Sequence, residues 1–111
     1  MRYYHGTSNT LWTAHEGACL VDDERIARSY ARGGVVFTVE ITGGLVEEEV
    51  EVTQEARAEM EYPGDRAAAR RAYIAEGVDV LTYDDEDEGG RQHRCYRLLS
   101  PAAIAACTIV E

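Results

Sequence analysis

The sequence predicts an α+β fold, and three features carry that expectation. Val35–Ile41 alternates with a period of two, as a strand on a packed sheet does. Two stretches carry helix start and stop signals: one from Asp22 or Asp23 to about Ala31, the other from Asp65 to Glu76. Each begins with an acidic cap, and each ends at glycine, Gly33-Gly34 or Gly77. The order along the chain is mixed, with strands predominating and helices inserted.

In chain order, Arg2–His5 reads as a short strand ended by a turn at Gly6, followed by a polar loop through Glu16. On the first helix Ile26 and Tyr30 are four apart and share one face with Ala27, so Tyr30 is expected to point inward. In the next strand Val35, Phe37, Val39 and Ile41 share a face, and Thr38 and Glu40 lie on the other. Gly43-Gly44 turns the chain into Leu45–Val52, where Glu47, Glu49 and Glu51 form a solvated face. Thr53–Glu61 reads as a helix stopped by Pro63-Gly64, and Asp65 caps a further helix, Arg66–Glu76. Val78–Tyr83 is a strand, followed by the acidic loop Asp84-Asp85-Glu86-Asp87-Glu88-Gly89-Gly90. His93–Leu99 is another strand, and Ser100-Pro101 opens a one-turn helix to Ala106, since proline suits the first helical position. Cys107–Val110 closes the chain as a last strand.

A chain of 111 residues is expected to form one domain, residues 1–111, with a single core. The charge balance of 11 − 21 = −10 argues against binding nucleic acid through its phosphates and favours solubility or a basic protein partner. Cys19, Cys95 and Cys107 are odd in number and lack a CxxC spacing, so neither a disulfide framework nor a metal site is expected. No basic, then apolar, N-terminal signal is evident, and no apolar run approaches the ~20 residues of a membrane span. A soluble, reducing, cytoplasmic setting with no membrane partner is the expectation.

The run Tyr3-Tyr4-His5-Gly6-Thr7-Ser8 places His5 at the mouth of a strand, with a free glycine backbone and two hydroxyls beside it. That arrangement suits a polar ligand bearing ribose hydroxyls and an amide. Each residue also has a plainer role. His5 can be a strand-end histidine bonded to backbone, Tyr30 a core aromatic, and Trp12 a side chain packed across the mouth of its loop. Asp84–Glu88 lacks the ligand order of a calcium loop and reads as a solvated run or a flexible rim. Cys95 and His93 share a strand face but show no third orienting residue. Arg25, Arg28 and Arg32 lie along the first helix and offset nearby acids.

Three segments occur together: His5-Gly6-Thr7-Ser8, the stretch from Cys19 through Asp22 to Tyr30-Ala31, and the strand Gly34–Ile41. In that order they resemble the diphtheria-toxin-like and PARP-like ADP-ribosyltransferases. Glu40–Glu47 looks like the continuation in small bacterial members such as the rifamycin-modifying enzymes. Leu99-Ser100-Pro101-Ala102-Ala103-Ile104 looks like the end of phage-borne and toxin-type members. Residues 46 to about 77 carry no part of the resemblance.

The resemblance implies a split mixed or antiparallel sheet around a cleft that holds NAD as substrate. It implies cofactor contacts from His5, Gly6, Thr7, Ser8 and Tyr30. His5 would touch the adenosine-side ribose, the Gly6 backbone the nicotinamide carboxamide, and Tyr30 the nicotinamide ring. The implied activity is a mono-ADP-ribosyl transfer to a protein, nucleic-acid or small-molecule acceptor, or NAD hydrolysis. The family's acidic third residue has no direct counterpart here. Its spacing lands on Cys95, while Gln92 is the nearest chemically suitable residue, which makes His5, Tyr30 and Gln92 the catalytic candidates. Glu86 or Glu88 would serve if the acidic loop folds back over the cleft. Two other readings stand beside this one: an acidic interaction or inhibitor protein, and a fold that binds NAD or ADP-ribose without cleaving it.

Overall fold

A computed structural model describes residues 2–50, 64–86 and 89–110 of the chain. Among them seven strands form one mixed sheet, with three short helices packed on it. The strands are β1 (Arg2–Thr7), β2 (Cys19–Val21), β3 (Val35–Ile41), β4 (Glu47–Glu49), β5 (Val80–Glu86), β6 (Gln92–Leu98) and β7 (Cys107–Val110). The helices are α1 (Glu24–Ala31), α2 (Arg66–Ala75) and α3 (Pro101–Ala105). The sheet order is β4-β5-β6-β2-β1-β3-β7, antiparallel throughout except for the β4–β5 pair. The α+β expectation agrees with this architecture.

Local chemistry fixes the helix ends. Asp23 caps α1 by accepting from the Arg25 N–H at 2.8 Å, and Arg32 and Gly33 leave the helix at φ 50° and 85°. Asp65 caps α2 through the Ala68 N–H, and Ser100 caps α3 through the Ala103 N–H. Strand alternation sends successive side chains to opposite faces, and both faces of the sheet are covered. On one face α1 and α2 bury Ile26, Ala27 and Tyr73 against Val21, Leu81, Tyr83 and Cys95. On the other, Trp12 from the loop after β1 and Ala103 of α3 close over Tyr3, Leu20, Val39 and Leu98.

Several expectations need correction. The chain does not turn at Gly6: Gly6 and Thr7 continue β1 opposite Val36 and Val35 of β3, so His5 lies within the strand and not at its mouth. β2 lies where no strand is expected; at three residues it is too short to show alternation, and pairing with β6 creates it. Tyr30 is 42% exposed rather than inward, because the space beneath its ring is a cavity and not core. Asp84, Asp85 and Glu86 do not begin a loop: they continue β5 in register with Arg94, His93 and Gln92 of β6. The Arg94 guanidinium, 3.0 Å from Asp84 and 3.1 Å from Glu49, relieves the charge that would otherwise disfavour that pairing. β5 also starts at Val80, two residues later than expected. The helix expected over Thr53–Glu61, together with Glu51, Asp87 and Glu88, lies outside the described residues.

The feature that positions the site is a weak seam in the sheet. β1 is in register with β3 along its whole length, yet meets β2 at a single register position, Tyr4 opposite Val21. The sheet is therefore close to two half-sheets, β4-β5-β6-β2 and β1-β3-β7.

Candidate functional site

A cavity of about 250 Å³ opens at this seam, beneath α1. Its walls come from five elements: Tyr4, His5 and Gly6 of β1, Cys19 and Val21 of β2, Ala27 and Tyr30 of α1, and two residues each from β5 and β6. Alternation explains the last four. Tyr83 and Asp85 point to the α1 face of β5, as Cys95 and Arg97 do on β6.

His5 borders the cavity from the seam. Its Nδ1 lies 2.8 Å from the Cys19 carbonyl, and a carbonyl only accepts, so Nδ1 carries the proton and donates. The indole of Trp12 stacks on the imidazole at 4.0 Å and 16°. Burial holds the ring's pKa below its ordinary value, against the opposing pull of the Cys19 bond. His5 is thus a neutral imidazole of fixed tautomer, with Nε2 as its acceptor.

Gly6 has two reasons to be glycine. A Cβ there would fall 1.8 Å from the Ala27 carbonyl oxygen and 2.9 Å from the Ala31 nitrogen, both backbone atoms that cannot step aside. The absent side chain lets α1 lie directly on β1, and the cavity then meets backbone at this position.

Tyr30 overhangs the cavity, and its hydroxyl lies 3.2 Å from His93 Nε2. His93 is 8% exposed and stands across the β5–β6 ladder from Asp85, the carboxylate that lines the cavity. At the cavity floor Arg97 donates to the Gly17 carbonyl at 2.7 Å and to the Tyr83 hydroxyl at 2.9 Å. Tyr83 Oη in turn lies 3.9 Å from Cys19 Sγ. A hydrogen bond to the Cys19 thiol, together with burial, pushes the Cys95 thiol pKa well up, so Cys95 is a protonated thiol and a poor nucleophile.

The structure therefore brings His5, Gly6 and Tyr30 to one cavity and leaves four other sequence candidates outside it. Gln92 is exposed, its side chain on the opposite face of β6 from Cys95, and its amide donates to Glu86 at 3.3 Å. Thr7 accepts from the Asn9 N–H through its hydroxyl, and Ser8 is exposed in the turn. Glu86 points away from the cavity with Gln92, and Glu88 lies outside the described residues. Asp85 is the site residue that sequence reasoning missed. Its acidic run looked like a solvated loop, and only the register of β5 on β6 reveals that Asp85 alone of Asp84, Asp85 and Glu86 turns inward.

No protein-family model, curated protein or solved structure matches the chain.

Proposed function

We propose that the chain binds NAD at the seam cavity and cleaves its nicotinamide–ribose bond, passing ADP-ribose to an acceptor or to water. The observation that carries this reading is the convergence of a neutral histidine, an overhanging tyrosine and one carboxylate, Asp85, on a single cavity. Its volume of about 250 Å³ sits just below the roughly 300–1,000 Å³ of ordinary ligand pockets, which suits one end of a dinucleotide rather than the whole. The nicotinamide and its ribose would occupy the cavity, and the adenosine would extend beyond it.

The chemistry asks little of the protein. When the bond between C1′ and the pyridinium nitrogen breaks, its electron pair neutralises that nitrogen and nicotinamide leaves uncharged. Positive charge then develops on the ribose, as in glycoside cleavage. Asp85 supplies the opposing charge and accepts from a ribose hydroxyl, and His5 borders the ribose from the seam. Tyr30 covers the nicotinamide ring. The incoming nucleophile bonds to C1′ and loses its proton to the carboxylate or to water. Asp85 here takes the place that the sequence offered to Gln92, a side chain that cannot act as a base.

Free nicotinamide, followed by liquid chromatography with and without cell lysate, tests this directly. Wild-type protein is expected to release it, and Asp85→Asn to slow release by roughly 10²-fold or more. Turnover lost in Gln92→Ala but kept in Asp85→Asn would restore Gln92 as the third group. Absence of release under all conditions would defeat the catalytic reading, and an NAD-dependent rise in melting temperature would then mark a binding fold. One surface favours a second reading. Glu47, Glu49, Asp84 and Glu86 are all exposed along β4 and β5, so salt-sensitive capture of a basic protein without any NAD effect would assign the chain as an acidic interaction protein.

A further inference from the structure

We propose that Asp85, His93 and Cys95 form a binding site for a divalent transition metal of the zinc class. The β5–β6 register places Asp85 directly opposite His93, and Cys95 follows two residues later on the same face. Their donor atoms, a carboxylate oxygen, an imidazole nitrogen and a sulfur, lie within 4.8 Å of one another. Zinc–ligand bonds of about 2.0–2.3 Å put tetrahedral donors roughly 3.3–3.8 Å apart. The three side chains therefore need to close by only about 1 Å, which side-chain rotation supplies without moving the strands.

The donor set selects the metal. Sulfur and imidazole favour zinc and its neighbours over calcium or magnesium, which prefer oxygen alone, and Cys95 binds as the thiolate, its proton passing to solvent as the metal enters. Three protein donors leave a coordination position open, and Asp85 and Cys95 both line the seam cavity, so that position faces a ligand-sized space. The imidazole is braced on both sides. Nε2 lies 3.2 Å from the Tyr30 hydroxyl and Nδ1 lies 3.4 Å from the Arg91 carbonyl, so whichever nitrogen takes the metal, the other has an oxygen partner in reach. The sequence pairs His93 with Cys95 on one strand face but hides the third donor, because Asp85 comes from the neighbouring strand.

The site rests on this geometry and not on NAD cleavage, although the two meet at Asp85. A carboxylate bound to metal is withdrawn from a ribose hydroxyl, so zinc is expected to inhibit any NAD turnover the chain shows. Cobalt(II) is the probe. The whole chain, reduced and metal-free, is titrated with cobalt and read for the thiolate-to-cobalt charge-transfer band and for the visible d–d bands of a tetrahedral site. The expected result is one cobalt per chain, with both signals, displaced by zinc. Cys95→Ser should remove the charge-transfer band, and Asp85→Asn and His93→Gln should each weaken binding on the order of tenfold or more. Cys107→Ser should leave both signals intact. Asp85 lies at the cavity edge, so Asp85→Asn remains informative even if Cys95→Ser fails to fold. A wild-type protein with no charge-transfer band overturns the proposal. So does a band that persists in Cys95→Ser and vanishes in Cys19→Ser, or binding that is unaffected by Asp85→Asn.

Discussion

His5 shows how one residue can serve the fold and a site together. Its Nδ1–H satisfies the Cys19 carbonyl across the seam, and its ring lies under Trp12, so much of its environment is structural whatever the cavity binds. The sequence offered both roles, strand-end histidine and ligand contact, and the structure makes the first plain without removing the second. Because burial lowers the folded-state pKa below the ordinary 6.5, the unfolded chain takes up the proton first as pH falls. The stabilisation is therefore complete above about pH 6.5 and is lost as pH drops through the lower folded value. Melting temperature is expected to decline from about pH 7 to about pH 5, and His5→Asn, whose amide can still donate to Cys19, to flatten that decline. An equally steep decline in His5→Asn would mean that another group carries the pH dependence.

At the scale of elements, the sequence was most legible where a signal is local and strong. Val35–Ile41 has the predicted bounds because alternation over seven residues overdetermines a strand. Asp65 caps the helix it was expected to cap, Asp23 is the one of the two acids offered that caps α1, and Ser100 caps the helix that Ser100-Pro101 was expected to open, since capping is a property of a few adjacent residues. What stayed hidden depends on partners distant in sequence. β2 exists through its pairing with β6, and the inward turn of Asp85 follows from register with His93. The contact between α1 and β1 is a third such case, and it carries a prediction. Gly6→Ala drives a methyl group into the Ala27 carbonyl, so α1 must lift off the strand. Overpacking of this kind is expected to cost about 3 kcal/mol, read as a shift in the denaturation midpoint with an unchanged slope. Tolerance of alanine at Gly6 would show that α1 does not lie as closely on β1 as described.

Over the whole molecule, the half-sheets are held together by side chains more than by backbone. The ladder between β1 and β2 reduces to Tyr4 opposite Val21, with His5 adding its bond to Cys19. Meanwhile α1 packs against strands of both halves, and the cluster of Tyr3, Leu20, Val39 and Leu98 spans the seam on the other face. A packed seam without a continuous ladder should open more readily than the ladders on either side of it, because few backbone bonds break when it does. Native-state hydrogen exchange, read by peptide, is therefore expected to protect β5, β6 and the β1–β3 pair more strongly than Cys19–Val21. A ligand that bridges the cavity touches both halves, so it must slow exchange at the seam first and most, by an amount that grows with its concentration over its dissociation constant. NAD can be tried in that way, and an effect confined to the seam would place it there without reference to turnover. Uniform protection on both sides of the seam, with or without ligand, would show that the sheet behaves as one cooperative unit and that the cavity is a packing gap rather than a cleft.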